Sequence, residues 1–405
     1  MEVWGTTNKV TCLVTDGAAN MIACGTELRL RHTICIAHTL NLIVKKALEL
    51  TPVFSDIRTK ARKLVGYFRS STTAKEKLAQ VQHDMGRPKL KLLQEVETRW
   101  NNTFHMLHRL VDLREPVGAA LAGLQTDIPS LTSEEYNTVS GCLSLLSSFN
   151  DATVELSAEE NVSGSKVVPL LKMLEQMLQE DITNTAAAVA REMGDHLIRQ
   201  LRERLHTFQS MSIMSLATLL HPRFKVIGFF SSTKATEAIK RLTSECAAVI
   251  RSAQTPESDQ PSTSQDAQPA ARGSFYLVLR SIFIITTLTN MVCVYFSGNK
   301  LWRHLDESVM HARRIQSVTA DATVEGQRFL SEPNIGRMED PLLYWEGQKC
   351  IYPNLYKLAV GFLCTPASSV PCERVFSKEG EVVSKKRNRL SPNTVEKLLF
   401  LNKNE

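Results

Sequence analysis

The chain has 405 residues, of which 43% are hydrophobic and 22% charged, an ordinary globular composition with enough length for two or three domains. Its formal net charge of +6 permits nucleic acid as a partner without demanding one. Nine cysteines form no CxxC pair, and no N-terminal signal peptide is evident; this excludes a disulfide-stapled secreted fold and points to a nuclear or cytosolic setting with free thiols.

The first element is a β-rich apolar run at 10–15 that ends on Asp16-Gly17. A short helix over 18–24 and a second short strand over 33–36 follow. From 37 to 50 the apolar residues Leu40, Ile43, Val44, Ala47 and Leu48 keep helical spacing. Helical blocks continue at 53–70, 73–83, 101–121, 133–156, 164–181 and 184–207, with weaker ones near 212–219 and 233–251. This pattern predicts an α/β plus α fold, a small α/β unit at the front with a large all-helical insertion behind it.

Residues 253–273 lack large apolar side chains and read as a linker. The apolar run 275–296 is long enough to span a bilayer, but Arg280, Thr286, Thr287, Thr289 and Asn290 would each need a polar partner in lipid. A buried or poorly ordered insertion accounts for it better than a membrane anchor, and translated non-coding sequence is a further reading. The soluble pattern resumes at Leu301-Trp302. Near the C-terminus a helix starting at Ser369, with Pro371 in its first turn, is expected to stop at Gly380. Ser391-Pro392 then opens a last helix with Val395, Leu398 and Leu399 at i, i+3 and i+4.

Several residues suit particular chemistry. Asp16 closes a strand, where a carboxylate is held rigidly toward an open crevice; it also reads as a plain Asp-Gly turn. Cys35-Ile-Ala-His38 has a zinc-like spacing, but no second pair lies nearby to complete a tetrahedral site, so a buried Cys with a hydrogen-bonded His accounts for it equally well. In Thr98-Arg99-Trp100-Asn101-Asn102, Trp100 offers a flat face for stacking an unpaired base, or a core anchor ahead of a helix. Leu219-Leu-His221-Pro-Arg223 reads as a helix end and a basic turn. The run Lys385-Lys386-Arg387-Asn388-Arg389 suits phosphate contact, nuclear import or a solvated turn.

The block Ser369-Val-Pro-Cys-Glu373-Arg-Val-Phe-Ser-Lys-Glu-Gly380, running on to Pro392, resembles the C-terminal dimerisation region of hAT (hobo/Activator) transposases and of zinc-finger BED proteins domesticated from them. The segments Val14-Thr-Asp16-Gly-Ala-Ala-Asn20-Met, Cys35-x-x-His38-Thr-Leu-Asn-Leu, Thr98-Arg-Trp100-Asn and Leu220-His-Pro-Arg-Phe-Lys225 resemble further motifs of that superfamily. Gly17 and His221 replace the usual Asn and Asp.

The resemblance implies a partial RNase H-like catalytic core at 1–50, a helical insertion at 51–250, a linker with an atypical apolar insertion at 251–299, and a dimerisation region with the last core helix at 300–405. It implies that Asp16 and Glu373 match the second and third of three carboxylates that hold two Mg²⁺ ions about 4 Å apart in active relatives. The first Asp has no counterpart in this chain, so the pair is expected to be vestigial, with no stably bound metal and no cofactor. It further implies DNA contacts from His38 and Trp100, to which the basic residues Lys385, Lys386, Arg387 and Arg389 are expected to add phosphate contacts. An apolar face of Leu355, Leu358, Phe362, Phe376, Val395, Leu398 and Leu399 is expected to join two copies. The expected partners are a second copy of the chain and DNA, in the nucleus, without stable membrane association. Two other readings stay open, a fragment of an active transposase and a dimeric scaffold that does not touch DNA.

Overall fold

A computed structural model describes residues 9–96, 98–254, 304–305, 307–308, 317–382 and 390–404. The linker at 255–273, the apolar run 275–296 and the basic run 385–389 lie outside these residues. The chain divides into two compact units, residues 1–242 with 330–405, and residues 243–329.

The larger unit begins with β1 (Cys12–Thr15), α1 (Ala19–Glu27) and β2 (Arg31–Ile34). The strands pair in parallel, with Cys12 opposite Arg31 and Thr15 opposite Ile34. Thr15 Oγ1 lies 2.8 Å from His32 Nε2 across the pair. Gly17 takes φ +83°, a left-handed conformation that suits glycine and turns the chain sharply after Asp16. β2 lies two residues earlier than its apolar content suggests. Cys35 makes the last bond to β1, N to Thr15 O at 2.6 Å, while serving as the N-cap of α2, and Ile36 N bonds to Ala367 O at 2.9 Å instead.

α2 (Ile36–Glu49) buries Leu40, Ile43, Val44, Ala47 and Leu48, the face its spacing predicts. α3 (Pro52–Ser70) and α4 (Thr72–Asp84) follow, joined through Ser71 alone and in contact with each other. The expected block 101–121 is two helices, α5 (Trp100–Asp112) and α6 (Arg114–Ala122), broken at Leu113, whose φ −100° and ψ 19° leave the α-helical basin. α7 (Ser133–Leu156) opens on a capping box. Glu135 N donates to Thr132 Oγ1 at 3.1 Å, and Thr132 N donates back to the Glu135 carboxylate at 2.6 Å.

A 3₁₀ turn (Gly164–Lys166) leads into α8 (Val167–Asn184), then α9 (Ala188–Ser210) and α10 (Ser212–Leu220). α9 packs on α2, α7 and α8. Every residue of α10 from Ile213 to Leu220 is buried, as expected of a helix apolar on all sides, and it forms the middle of the core. α11 (Ser232–Gln254) closes the helical region. α12 (Val318–Ser331), whose residues up to Phe329 belong to the smaller unit, buries Ala322, Gly326 and Phe329.

The C-terminal part of the larger unit adds α13 (Pro341–Gln348), α14 (Pro353–Leu363), α15 (Val370–Val382) and α16 (Pro392–Asn404). α14 packs on α10, and the Trp345 indole donates to Leu220 O at 2.9 Å. The turn after α10 is pinned to the same part of the chain. His221 is 1% exposed, and burial pushes its imidazole down to about 3, so it stays neutral and its Nδ1 accepts the Arg223 N–H at 3.2 Å. The Arg223 guanidinium then donates to Gly336 O at 2.9 Å.

Two expectations need correction. α15 does not stop at Gly380 but continues to Val382, since a glycine mid-helix costs only about 1 kcal/mol and is tolerated where packing holds the helix. Leu355, Leu358 and Phe362 do not stand on an open face. They are 0%, 8% and 4% exposed, turned into the protomer's own core between α14 and its neighbours.

Candidate nucleic-acid interface

Helix starts and helix ends converge on a cavity of about 800 Å³. The first turns of α2 contribute His38 and Asn41. The residues leading into α5 and its own first turns contribute Thr98, Arg99, Asn101, Asn102 and His105. The last turns of α7 contribute Asn150, Thr153 and Ser157, and the first turn of α15 contributes Glu373 and Arg374.

Short hydrogen bonds hold these pieces together. Trp100 N donates to Asn41 Oδ1 at 2.9 Å, locking α5 to α2. Asn101 Nδ2 donates to Asn150 Oδ1 at 2.9 Å, locking α5 to α7. α15 is tied to the sheet end through Cys35: its Sγ lies 3.4 Å from Ser368 Oγ and accepts the Ser369 N–H at 3.3 Å. Ala367 N donates to Ser163 Oγ at 3.0 Å, so the loop before α15 is fastened from a second side.

Glu373 accepts from Arg99 Nη2 at 2.5 Å and from Ser369 Oγ at 3.2 Å. Both ion-pair partners are about half exposed, so the pair stands at an open mouth rather than in a dry interior. Arg99 and Arg374 face a single carboxylate, which leaves the lining with excess positive charge. His105 is pushed down by burial and then by nearby His108, so it does not add to that charge at neutral pH. The remaining lining is mostly side-chain amide and hydroxyl. Cationic guanidiniums among amides and hydroxyls match the groups that grip phosphate and sugar oxygens.

His38 and Glu373 line the cavity together, although far apart in the chain. Asp16 does not line it; it is exposed, with Oδ1 accepting from Ala18 N at 3.0 Å. A chain of contacts does bring the two carboxylate-bearing elements to one end of the sheet. Cys35 N donates to Thr15 O, next to Asp16, at 2.6 Å, and Cys35 Sγ accepts from Ser369, one turn before Glu373.

Trp100 is not an open stacking platform. It is 2% exposed and shares the buried face of α5 with Phe104, Met106, Leu107 and Leu110; its ring meets Phe104 edge-on at 6.1 Å. A residue that begins an amphipathic helix on its apolar stripe is drawn into the core, and Trp100 begins this one. Lys385, Lys386, Arg387 and Arg389 lie outside the described residues, as does the Phe376 side chain. Val395 is 7% exposed, whereas Leu398 stands 41% exposed on α16. Sequence reasoning gave no role to Arg99 or Arg374, although each adjoins a residue it did name, and two arginines beside a Trp and a Glu were the available signal.

Mg²⁺ does not fit the described carboxylates as they stand. Glu373 is engaged by a guanidinium, and among the described residues no group of three or more His, Cys, Asp or Glu is close enough to hold a metal ion. No helix among the described residues is long and apolar enough to cross a membrane.

Comparison with known proteins accords with the motif reading. Residues 325–405 match the hAT family C-terminal dimerisation region, and residues 33–144 match the ZBED1 RNase-like helical domain. The chain is similar to human zinc finger BED domain-containing protein 4, at 26% identity over 373 residues, covering 91% of this chain and 29% of that protein. It is similar to the putative transcriptional regulator tpeD of Talaromyces stipitatus, at 25% identity over 341 residues, covering 84% and 35%. The putative AC transposase of Zea mays is 23% identical over 398 residues, covering 95% and 45%. The chain thus spans less than half the length of each of these relatives. It carries a hAT dimerisation region behind a ZBED1-like helical domain.

Proposed function

We propose that the chain is a hAT-transposase-derived nuclear protein that pairs with itself and associates with DNA, and that performs no transposase chemistry by itself. The observation that carries this reading is the Arg99–Glu373 ion pair at the mouth of a cationic, amide-lined cavity. The glutamate that the resemblance makes a metal ligand is here a guanidinium partner, and the cavity around it suits phosphate oxygens better than a divalent cation. β1 and β2 are read as two parallel strands of an RNase H-like core into which α3 to α11 are inserted. The resemblance carries Asp16 and Glu373 over as two of the three carboxylates that two-metal phosphoryl transfer uses.

Self-association is read from the C-terminal match and from α16, which leaves Leu398, Phe400 and Leu401 on its surface at 41%, 67% and 56% exposure. Large apolar side chains gathered on one terminal helix suit burial against a second copy. A regulatory role in the nucleus is the reading that accommodates both the zinc finger BED relative and the putative transcriptional regulator.

The test is one incubation with two readouts. The purified chain is mixed with labelled duplex DNA and Mg²⁺, then resolved on native and denaturing gels. A salt-sensitive shift without nicking is expected. Nicking that disappears in Glu373→Gln would show that the site completes a metal cluster and would overturn the non-catalytic reading.

A further inference from the structure

A second cationic surface lies on the helical part of the larger unit, away from the residues that line the first cavity. α3, α4 and the segment between α4 and α5 enclose a groove of about 920 Å³, whose charged lining is Arg69, Lys75, Arg87, Lys89 and Lys91 against the single carboxylate of Glu76. Arg87 is paired with Glu115, which still leaves four cations facing one acid. We infer that this groove is a docking surface for the phosphate backbone of duplex DNA, laid along the helical region as a second contact beside the cavity at Arg99. The inference rests on the DNA-binding reading proposed above and extends it to a surface which that reading does not use.

The segment that carries the lysines is held in place. Gln82 is 1% exposed and clamps Leu90 on both sides: Leu90 N donates to Oε1 at 2.6 Å, and Nε2 donates to Leu90 O at 3.1 Å. Arg69 Nη1 donates to Leu92 O at 3.1 Å, and Arg109 Nη1 donates to Lys91 O at 3.2 Å. Arg87 N donates to Gln82 O at 2.8 Å, and Leu92 is buried at 2% exposure. A buried amide and two guanidiniums are thus spent on fixing the backbone of a surface segment, while the Lys89 and Lys91 side chains stay exposed. Cations held on a fixed backbone bind a polyanion at a lower ordering cost than cations on a loose loop.

The chemistry selects the partner. Lysine binds phosphate as a point charge and carries no base preference, so the contact is with the backbone rather than with sequence. Of the two rings in the lining, Phe68 is 2% exposed and the exposed His83 imidazole stands beside Asp84 with Nδ1 3.4 Å from its carboxylate, so the groove offers lysine charge with little aromatic face for an unpaired base, which favours duplex over single strand. An acidic peptide is the competing polyanion.

The test measures binding of the full chain to a labelled 20-base-pair duplex of arbitrary sequence across a salt series. Lys89→Ala/Lys91→Ala is compared with the parent chain and with Lys240→Ala on α11 as a control. Each lost phosphate contact lowers the slope of log affinity against log salt by about 0.9, so the double variant should lose about 1.8 from the slope and at least about tenfold in affinity at 0.1 M salt. Unchanged far-ultraviolet circular dichroism and melting should accompany this, because only exposed side-chain ends are removed. If the parent binds the duplex and the double variant matches it in affinity and slope, the groove is not a DNA surface, though the chain still binds DNA. If the parent does not bind at all, the broader reading fails with it. A double variant that loses binding to polyglutamate but keeps the duplex would assign the groove to an acidic protein and overturn the proposal.

Discussion

Glu95 fixes the segment between the basic groove and α5, and replacing it should loosen the helical region. Its side chain is 1% exposed and is gripped by two arginines of α3. Arg58 donates through Nε at 3.0 Å and Nη2 at 2.9 Å, and Arg62 donates through Nε at 2.7 Å. Burial pushes the carboxyl up, but the hydrogen bonds from Arg58, Arg62 and Thr103 outweigh it and hold the group below its ordinary value of 4.5. Glu95→Gln keeps the shape and removes the charge, leaving two guanidiniums facing a neutral amide. Removing one partner of a buried ion pair costs about 3–5 kcal/mol, and because the Arg58 and Arg62 side chains are 25% and 36% exposed, water recovers part of that; about 3 kcal/mol is expected. At an unfolding entropy of about 2.1 cal/mol/K per residue over a unit of roughly 320 residues, this is a fall of about 4–5 °C in melting temperature. The pH dependence has a definite sign. A depressed folded-state pKa contributes stability that is fully present above the unfolded value and is lost as pH falls through the folded one. The parent should therefore lose stability on acidification below about pH 4.5, and the variant should show a flatter acid limb. Differential scanning calorimetry at pH 7 and pH 4 measures both effects. A variant that melts within 1 °C of the parent at pH 7 would show that the triad contributes nothing net and would refute the reasoning.

Other substitutions separate competing roles. Trp100→Ala should lower stability by about 3–5 kcal/mol, seen as an early thermal transition, because the ring is core; a variant of unchanged stability with weaker DNA binding would restore the stacking role. Leu398→Asp places a charge on the exposed face of α16 and should weaken self-association about tenfold or more, read by sedimentation equilibrium. An unchanged association constant would move the interface elsewhere. Arg99→Ala frees Glu373 yet should leave Mg²⁺-dependent nicking undetectable, since release of one carboxylate does not assemble a three-ligand site. Nicking gained by this variant would show that Arg99 was masking an intact centre.

Much of the helical architecture was legible because long amphipathic segments announce themselves. The residues Leu40, Ile43, Val44, Ala47 and Leu48 are all buried as their spacing requires, and α7 runs over the very span expected of it. The helix break at Leu113 was not legible, because apolar periodicity continues across it and the backbone change is local. β2 was displaced because Arg31 and His32 look like loop residues, while the apolar Cys35 and Ile36 that look like strand are claimed by the α2 cap and by Ala367. His38 and Glu373, both singled out by the motif resemblance, line one cavity. That resemblance did not reveal the Arg99–Glu373 pair, whose members are 274 residues apart, nor the Gln82 clamp, since both depend on tertiary approach rather than on any local pattern. The buried acid of the segment before Trp100 is Glu95, which no local pattern marks out.

Sedimentation velocity of the chain with a fluorescent duplex, followed at one wavelength for protein and another for DNA, tests the central claim most directly. The account predicts a species with two 45.3 kDa chains that carries the duplex at 0.1 M salt and releases it, still paired, at high salt. A single chain sedimenting apart from free DNA at every salt concentration would contradict it.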